Sequence, residues 1–88
     1  MTKEQLSSEE RKVPTAFVLL STQTGAETDV LEDLEKTKNV NEAFAVFGAY
    51  DVVAKIKTET MHELKETVLQ CIRKRASVKS TLTMLVVE

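Results

Sequence analysis

The sequence holds little of the material from which cross-links, metal centres and stacking surfaces are made. Its one cysteine, Cys71, cannot build an intrachain disulfide framework, and a reducing, cytoplasmic setting is expected. Its one histidine, His62, leaves too few ligands at close spacing for a metal site. Only two glycines, Gly25 and Gly48, are present, so no glycine-rich phosphate loop exists and no cofactor is expected. There is no tryptophan, and the aromatics are three Phe and one Tyr. No apolar run approaches the roughly 20 residues of a membrane helix. The polar first thirteen residues lack the apolar stretch of a secretory signal. Twelve Lys and Arg stand against fourteen Asp and Glu, a formal charge of -2. That balance provides no general field for nucleic acid. The dense basic run is Arg73-Lys74-Arg75, and it falls at a helix end, where the dipole alone favours cations.

What is present suits a folded globule. Hydrophobic residues make up 42% and charged residues 30%, which argues against a disordered chain. A chain of 88 residues holds one domain with a marginal core, so a partner that covers more apolar surface is expected.

Residues 1–13 read as a polar leader, expected to be mobile because little there repays ordering. Pro14 marks its end and suits the first position of a strand. Residues 15–21, Thr-Ala-Phe-Val-Leu-Leu-Ser, do not alternate, which predicts a central strand covered on both faces. Thr24 with Glu27 predicts a capping box and a helix whose stripe is Ala26, Val30, Leu31 and Leu34. Residues 40–47 and 51–57 predict two strands joined tightly at Gly48 as a hairpin. Thr60 with Glu63 is a second capping box, ahead of a stripe of Met61, Leu64, Val68, Cys71 and Ile72. Residues 78–87 form the last strand, with Leu85 and Val87 expected on the face away from the helices.

The order strand-helix-strand-strand-helix-strand, with right-handed crossovers, predicts an α+β ferredoxin-like sandwich. Its sheet has four antiparallel strands, with the first and third central and both helices on one face. The other face would then be a large apolar patch, which a symmetric dimer would cover.

Chemistry is sparse. His62 lies in the first turn of a helix and reads as solvated. Cys71 shares a stripe with Leu64 and Val68 and reads as a small core residue. The loop at residues 22–25 has no Arg to hold an anion, so an enzyme on this fold, of acylphosphatase or dimeric monooxygenase type, is not expected. Base-stacking aromatics on the central strands are also lacking, with only Phe17 and Tyr50 available. Two segments remain. Gly48-Ala49-Tyr50-Asp51 is either a plain turn or a ligand corner. In the second case backbone N–H groups take a carboxylate and Asp51 an ammonium. Ser80-Thr81-Leu82-Thr83 is either a solvated strand face or a set of hydroxyls lining a pocket between subunits.

These two segments carry a resemblance. Residues 15–19 (Thr-Ala-Phe-Val-Leu), 46–56 (Val-Phe-Gly-Ala-Tyr-Asp-Val-Val-Ala-Lys-Ile) and 78–88 (Val-Lys-Ser-Thr-Leu-Thr-Met-Leu-Val-Val-Glu) resemble the effector-binding domain of leucine-responsive (Lrp/AsnC) transcriptional regulators, also called the RAM domain. The resemblance covers residues 14–88. It implies a non-enzymatic module that binds amino-acid effectors. It also implies homodimers that assemble further, often as four dimers, with effectors held between dimers. Carried over by position, Gly48, Ala49, Tyr50 and Asp51 match the family's hairpin corner. Thr81 and Thr83 match its last-strand hydroxyls, with Ser80 a weaker match. Family members usually carry a helix-turn-helix domain, for which a thirteen-residue leader is too short. The expectation is therefore a sensing module without direct DNA binding, which assembles with itself or with full-length regulators. The alternative is a structural subunit that co-assembles with such regulators and has no ligand of its own.

Overall fold

The structure is a computed structural model that describes residues 13–73 and 77–87. Residues 1–12, which make up nearly all of the leader, and Lys74 and Arg75 of the basic run lie outside the described residues.

The elements follow the expected order. They are β1 (Thr15–Thr22), α1 (Glu27–Glu35), β2 (Val40–Ala45), β3 (Val52–Lys57), α2 (Met61–Arg73) and β4 (Val78–Leu85). The sheet is wholly antiparallel in the order β2-β3-β1-β4, so β3 and β1 are central. This is the ferredoxin-like arrangement.

The core lies between the sheet and the helices. Ala16, Val18 and Leu20 of β1 and Val52, Ala54 and Ile56 of β3 are fully buried. They pack with Val30 and Leu34 of α1 and Leu64 and Cys71 of α2. Apolar residues at the pleat period on the strands thus meet apolar residues at the helical period, and each set leaves water by facing the other.

The two predicted caps part ways. At α2, the Glu63 N–H donates to Thr60 Oγ1 at 3.1 Å, and the Thr60 hydroxyl lies 3.4 Å from Glu63 Oε1. At α1 the Thr24 box does not form. Ala26 is the N-cap, without a side-chain hydrogen bond, and the helix begins at Glu27. Gly25 adopts a positive φ of 89° and its N–H donates to Glu27 Oε2 at 3.1 Å. The turn at Gly25 leaves Thr24 two residues ahead of the N-cap, out of step with the first helical N–H groups.

The α2 stripe also differs from expectation at two positions. Met61 is exposed, whereas Thr67 is buried. Its hydroxyl donates to the Glu63 carbonyl at 2.8 Å and accepts from Asn39 Nδ2 at 3.2 Å. Asn39 has a φ of 73°, a conformation that Asn tolerates better than most residues. The bond ties the α1–β2 turn to α2.

Cross-strand register settles the faces of β4. Leu85 stands opposite Ala16, Thr83 opposite Val18 and Thr81 opposite Leu20. Directly opposed residues share a face. Thr81, Thr83 and Leu85 therefore lie on the helix side, and Ser80, Leu82 and Met84 on the open side. This corrects the expectation that Leu85 helps to make the open face apolar: Leu82 and Met84 do so. Both faces of β4 carry apolar residues, so its periodicity could not choose between them.

The open face has a continuous apolar row. Phe44, Val53, Leu19 and Leu82 stand in register across all four strands. The next row is Glu42, Lys55, Phe17 and Met84, with a 3.8 Å ion pair between Lys55 and Glu42. Phe44, Leu82 and Met84 are each exposed by nearly half.

Candidate functional site: the hairpin corner and the start of β4

The corner at residues 48–51 is braced from both sides. The Asp51 N–H donates to the Leu20 carbonyl of β1 at 2.9 Å, and the Asp51 carbonyl accepts from the Val46 N–H at 2.9 Å. The Asp51 carboxylate accepts from the Thr22 N–H at 2.8 Å through Oδ2, with the Thr22 hydroxyl 3.5 Å from the same oxygen. Thr22 is buried, so its N–H needs that partner. Gly48 has a φ of 142°, outside the regions open to L-residues, while nothing approaches the position a Cβ would take. Glycine is required there by backbone geometry rather than by space. Ala49 is exposed and Tyr50 half-buried.

The candidate hydroxyls are split. Thr81 lies across β1 from the corner, because Leu20 bonds Asp51 on one side and stands opposite Thr81 on the other. Two inter-strand steps place them about 10 Å apart. Thr83 lies one pleat further along, over the buried Val18, and faces a different space. It lines a groove of about 440 Å³ between α2 and β4, with Leu64, Lys65, Val68, Leu69 and Leu85. Ser80 stands opposite Ser21 on the open face, away from both threonines. Within one chain, the corner and Thr81 thus share one end of the sheet, whereas Thr83 and Ser80 do not join them. Thr22 and the α2–β4 groove were not visible as site features in the sequence, since each depends on a tertiary approach.

Other chemistry is absent from these positions. Among the described residues no three His, Cys, Asp or Glu side chains converge as metal ligands. His62 is exposed and lies 3.2 Å from Glu66, one helical turn on. Cys71 is in the core. A surface cavity of about 470 Å³ opens at the far end of the sheet, among Val13, Asn39, Thr58 and the mixed charges of Lys38, Lys57, Glu59 and Glu63. No candidate site residue borders it. No helix among the described residues is long and apolar enough to cross a membrane.

This geometry defines a class: a ferredoxin-like domain with a polar corner held by hydrogen bonds to β1. Comparison with known proteins makes it specific. The family model for the Lrp/AsnC ligand binding domain matches residues 15–88, and the chain belongs to that family. The HTH-type transcriptional regulator FL11 of Pyrococcus abyssi is 33% identical over 73 residues, which cover 83% of this chain and 48% of the regulator. The chain thus spans about half the length of the regulators it matches. Among solved structures, the hypothetical protein PHS023 from Pyrococcus horikoshii is 37% identical with a TM-score of 0.77, covering 83% of this chain and 88% of that one. The transcriptional regulator NMB0573 of Neisseria meningitidis, solved as its L-Met complex, shares the fold at 21% identity. Its TM-score is 0.73, with 100% of this chain and 59% of that one covered. The family and its relatives make the chain an effector domain of transcription-regulator type.

Proposed function

We propose that this domain senses an amino acid and couples its binding to self-assembly in the cytoplasm. It is not an enzyme in this reading, and it bears on transcription as an effector domain of the regulator family. The observation that carries the reading is the 48–51 corner. It sits at a sheet end, is fixed by Asp51, and presents exposed backbone at Gly48 and Ala49. The backbone there receives the effector carboxylate, and Tyr50 walls the site. A carboxylate has about four lone-pair sites. Asp51 can therefore hold Thr22 and still accept an ammonium group. Thr81 adds a hydroxyl at the same end of the sheet, Thr83 adds one only where a second subunit meets the corner, and Ser80 stands on the open face. That a protein of the same fold is solved with L-Met supports an amino acid as the ligand class.

The open face supports a symmetric homodimer, because the Phe44, Val53, Leu19 and Leu82 row gains by being covered. Further assembly of dimers, including a tetramer of dimers, and association with full-length Lrp/AsnC regulators extend the same reading.

One observation favours the structural alternative. The Asp51 carboxylate already has a partner in Thr22, so the corner has a structural use without any ligand. A thermal-shift screen of the assembled protein against the twenty amino acids separates the two. Binding to the folded state raises its stability with ligand concentration. At least one amino acid should raise the melting temperature progressively, and a flat response to all twenty would favour the structural subunit.

A further inference from the structure

The cavity of about 470 Å³ at the end of the sheet opposite the 48–51 corner has walls that hydrogen bonds tie together. The Lys57 N–H donates to the Asn39 carbonyl at 3.1 Å, and Asn39 Nδ2 donates to the buried Thr67 hydroxyl at 3.2 Å. Thr67 in turn donates to the Glu63 carbonyl at 2.8 Å. The turn before β2, the end of β3 and the first turn of α2 are thus joined around one opening. Thr58, also buried, donates its N–H to the Pro14 carbonyl at 3.1 Å and its hydroxyl to the Thr60 carbonyl at 2.7 Å. The frame is fixed, and the charged side chains that line it are not part of the bonding that fixes it.

Those charges face one space without neutralising one another. Lys38, Lys57, Glu59 and Glu63 all line it, yet among the described residues none of the four joins an ion pair. Each lysine nitrogen therefore stands more than 4.0 Å from every described carboxylate oxygen. The Glu63 carboxylate has only a 3.4 Å contact with the Thr60 hydroxyl. Opposite charges that share a cavity and stand apart complement a molecule that carries both signs, also held apart. From this juxtaposition we infer that the cavity binds a small zwitterion with separated ends, of short-peptide or ω-amino-acid type. Its carboxylate meets Lys38 and Lys57, and its ammonium meets Glu59 and Glu63. A two-residue peptide spans about 7 Å and bridges such a gap. A single α-amino acid carries both charges on one carbon and does not.

This site is separate from the corner. Lys57 stands opposite Thr15 at the start of β1, whereas the corner bonds to Leu20 and Thr22 at its end. The inference therefore does not rest on the sensing role proposed above. Lys38, Lys57 and Glu59 are exposed, so water and salt screen their contacts with a ligand. Binding is accordingly in the millimolar range and weakens as ionic strength rises.

Ligand-observed saturation-transfer NMR of the full chain, with glycylglycine as the probe, tests the inference. The signal should saturate, and it should fall sharply for N-acetylglycylglycine, which has no ammonium, and for glycylglycine amide, which has no carboxylate. Lys38→Gln with Lys57→Gln, and separately Glu59→Gln, should each weaken binding by about fivefold or more. Lys79→Gln, an exposed lysine on β4 outside the cavity, should leave it unchanged. No saturable signal up to tens of millimolar overturns the site. So does an equal response to the blocked probes, or an unchanged response in the double lysine variant. A signal lost in Asp51→Asn but kept in Lys57→Gln places the peptide at the corner and also overturns it. Should no α-amino acid bind while glycylglycine depends on Lys57 and Glu59, sensing at the corner fails and this site stands.

Discussion

At Asp51 two roles meet in one carboxylate. The bond to the Thr22 N–H spans 29 residues of sequence and holds the hairpin against the end of β1. Removing it leaves the buried Thr22 N–H without its partner, at a cost of about 1–3 kcal/mol. Asp51→Ala should therefore lose stability in denaturant unfolding, whether or not a ligand exists. Asp51→Asn separates the roles. An amide oxygen can still accept from Thr22, but the charge is gone. The fold should be nearly as stable as wild type, while affinity for the effector falls by about 1–3 kcal/mol. Unchanged affinity in Asp51→Asn would remove the ammonium contact. The resemblance marked Asp51 as a binding residue, but its bond to Thr22 was illegible, because no local pattern joins positions so far apart. Gly48 was legible: its place in a tight hairpin demanded unusual backbone, and its φ of 142° has that character.

At the scale of elements, the two helix starts form a natural comparison. Thr60 caps α2 through its hydroxyl, whereas Thr24 caps nothing at α1. Thr60→Ala should cost about 1 kcal/mol in chemical denaturation. Thr24→Ala should stay within about 0.5 kcal/mol. Equal losses would contradict the assigned helix start. Both threonines had Glu three residues on, so the motif alone did not distinguish them. The distinction lies in the positive φ of Gly25, which shifts the helix start past Thr24. Element order was legible from the succession of strand and helix patterns, and the central place of β1 from the unbroken apolar run at residues 16–20, with β3 following from the ferredoxin-like topology. The faces of β4 were not, since Leu82 and Leu85 are equally apolar and only register against β1 separates them. Thr67 was passed over because a polar residue on an apolar stripe gains its place from bonds to Asn39 and Glu63.

At the scale of the molecule, the fold sorts its surfaces by use. The helix side encloses the core, the open side carries an exposed apolar row that the proposed dimer would cover, and one end of the sheet holds the corner. Leu82→Glu puts a charge into that row. It should weaken dimerisation by about 3 kcal/mol, roughly a hundredfold, as read by analytical ultracentrifugation. Glu32→Lys, on an exposed position of α1, should leave it unchanged. A Leu82→Glu protein that dimerises like wild type would place the interface elsewhere. In the proposed function this protein senses an amino acid at the 48–51 corner. Calorimetric titration of the assembled protein with each of the twenty amino acids tests it most directly. Saturable heat with at least one of them, sharply weakened in Asp51→Asn, is the predicted result. No heat from any of the twenty, with the assembly intact, would contradict it.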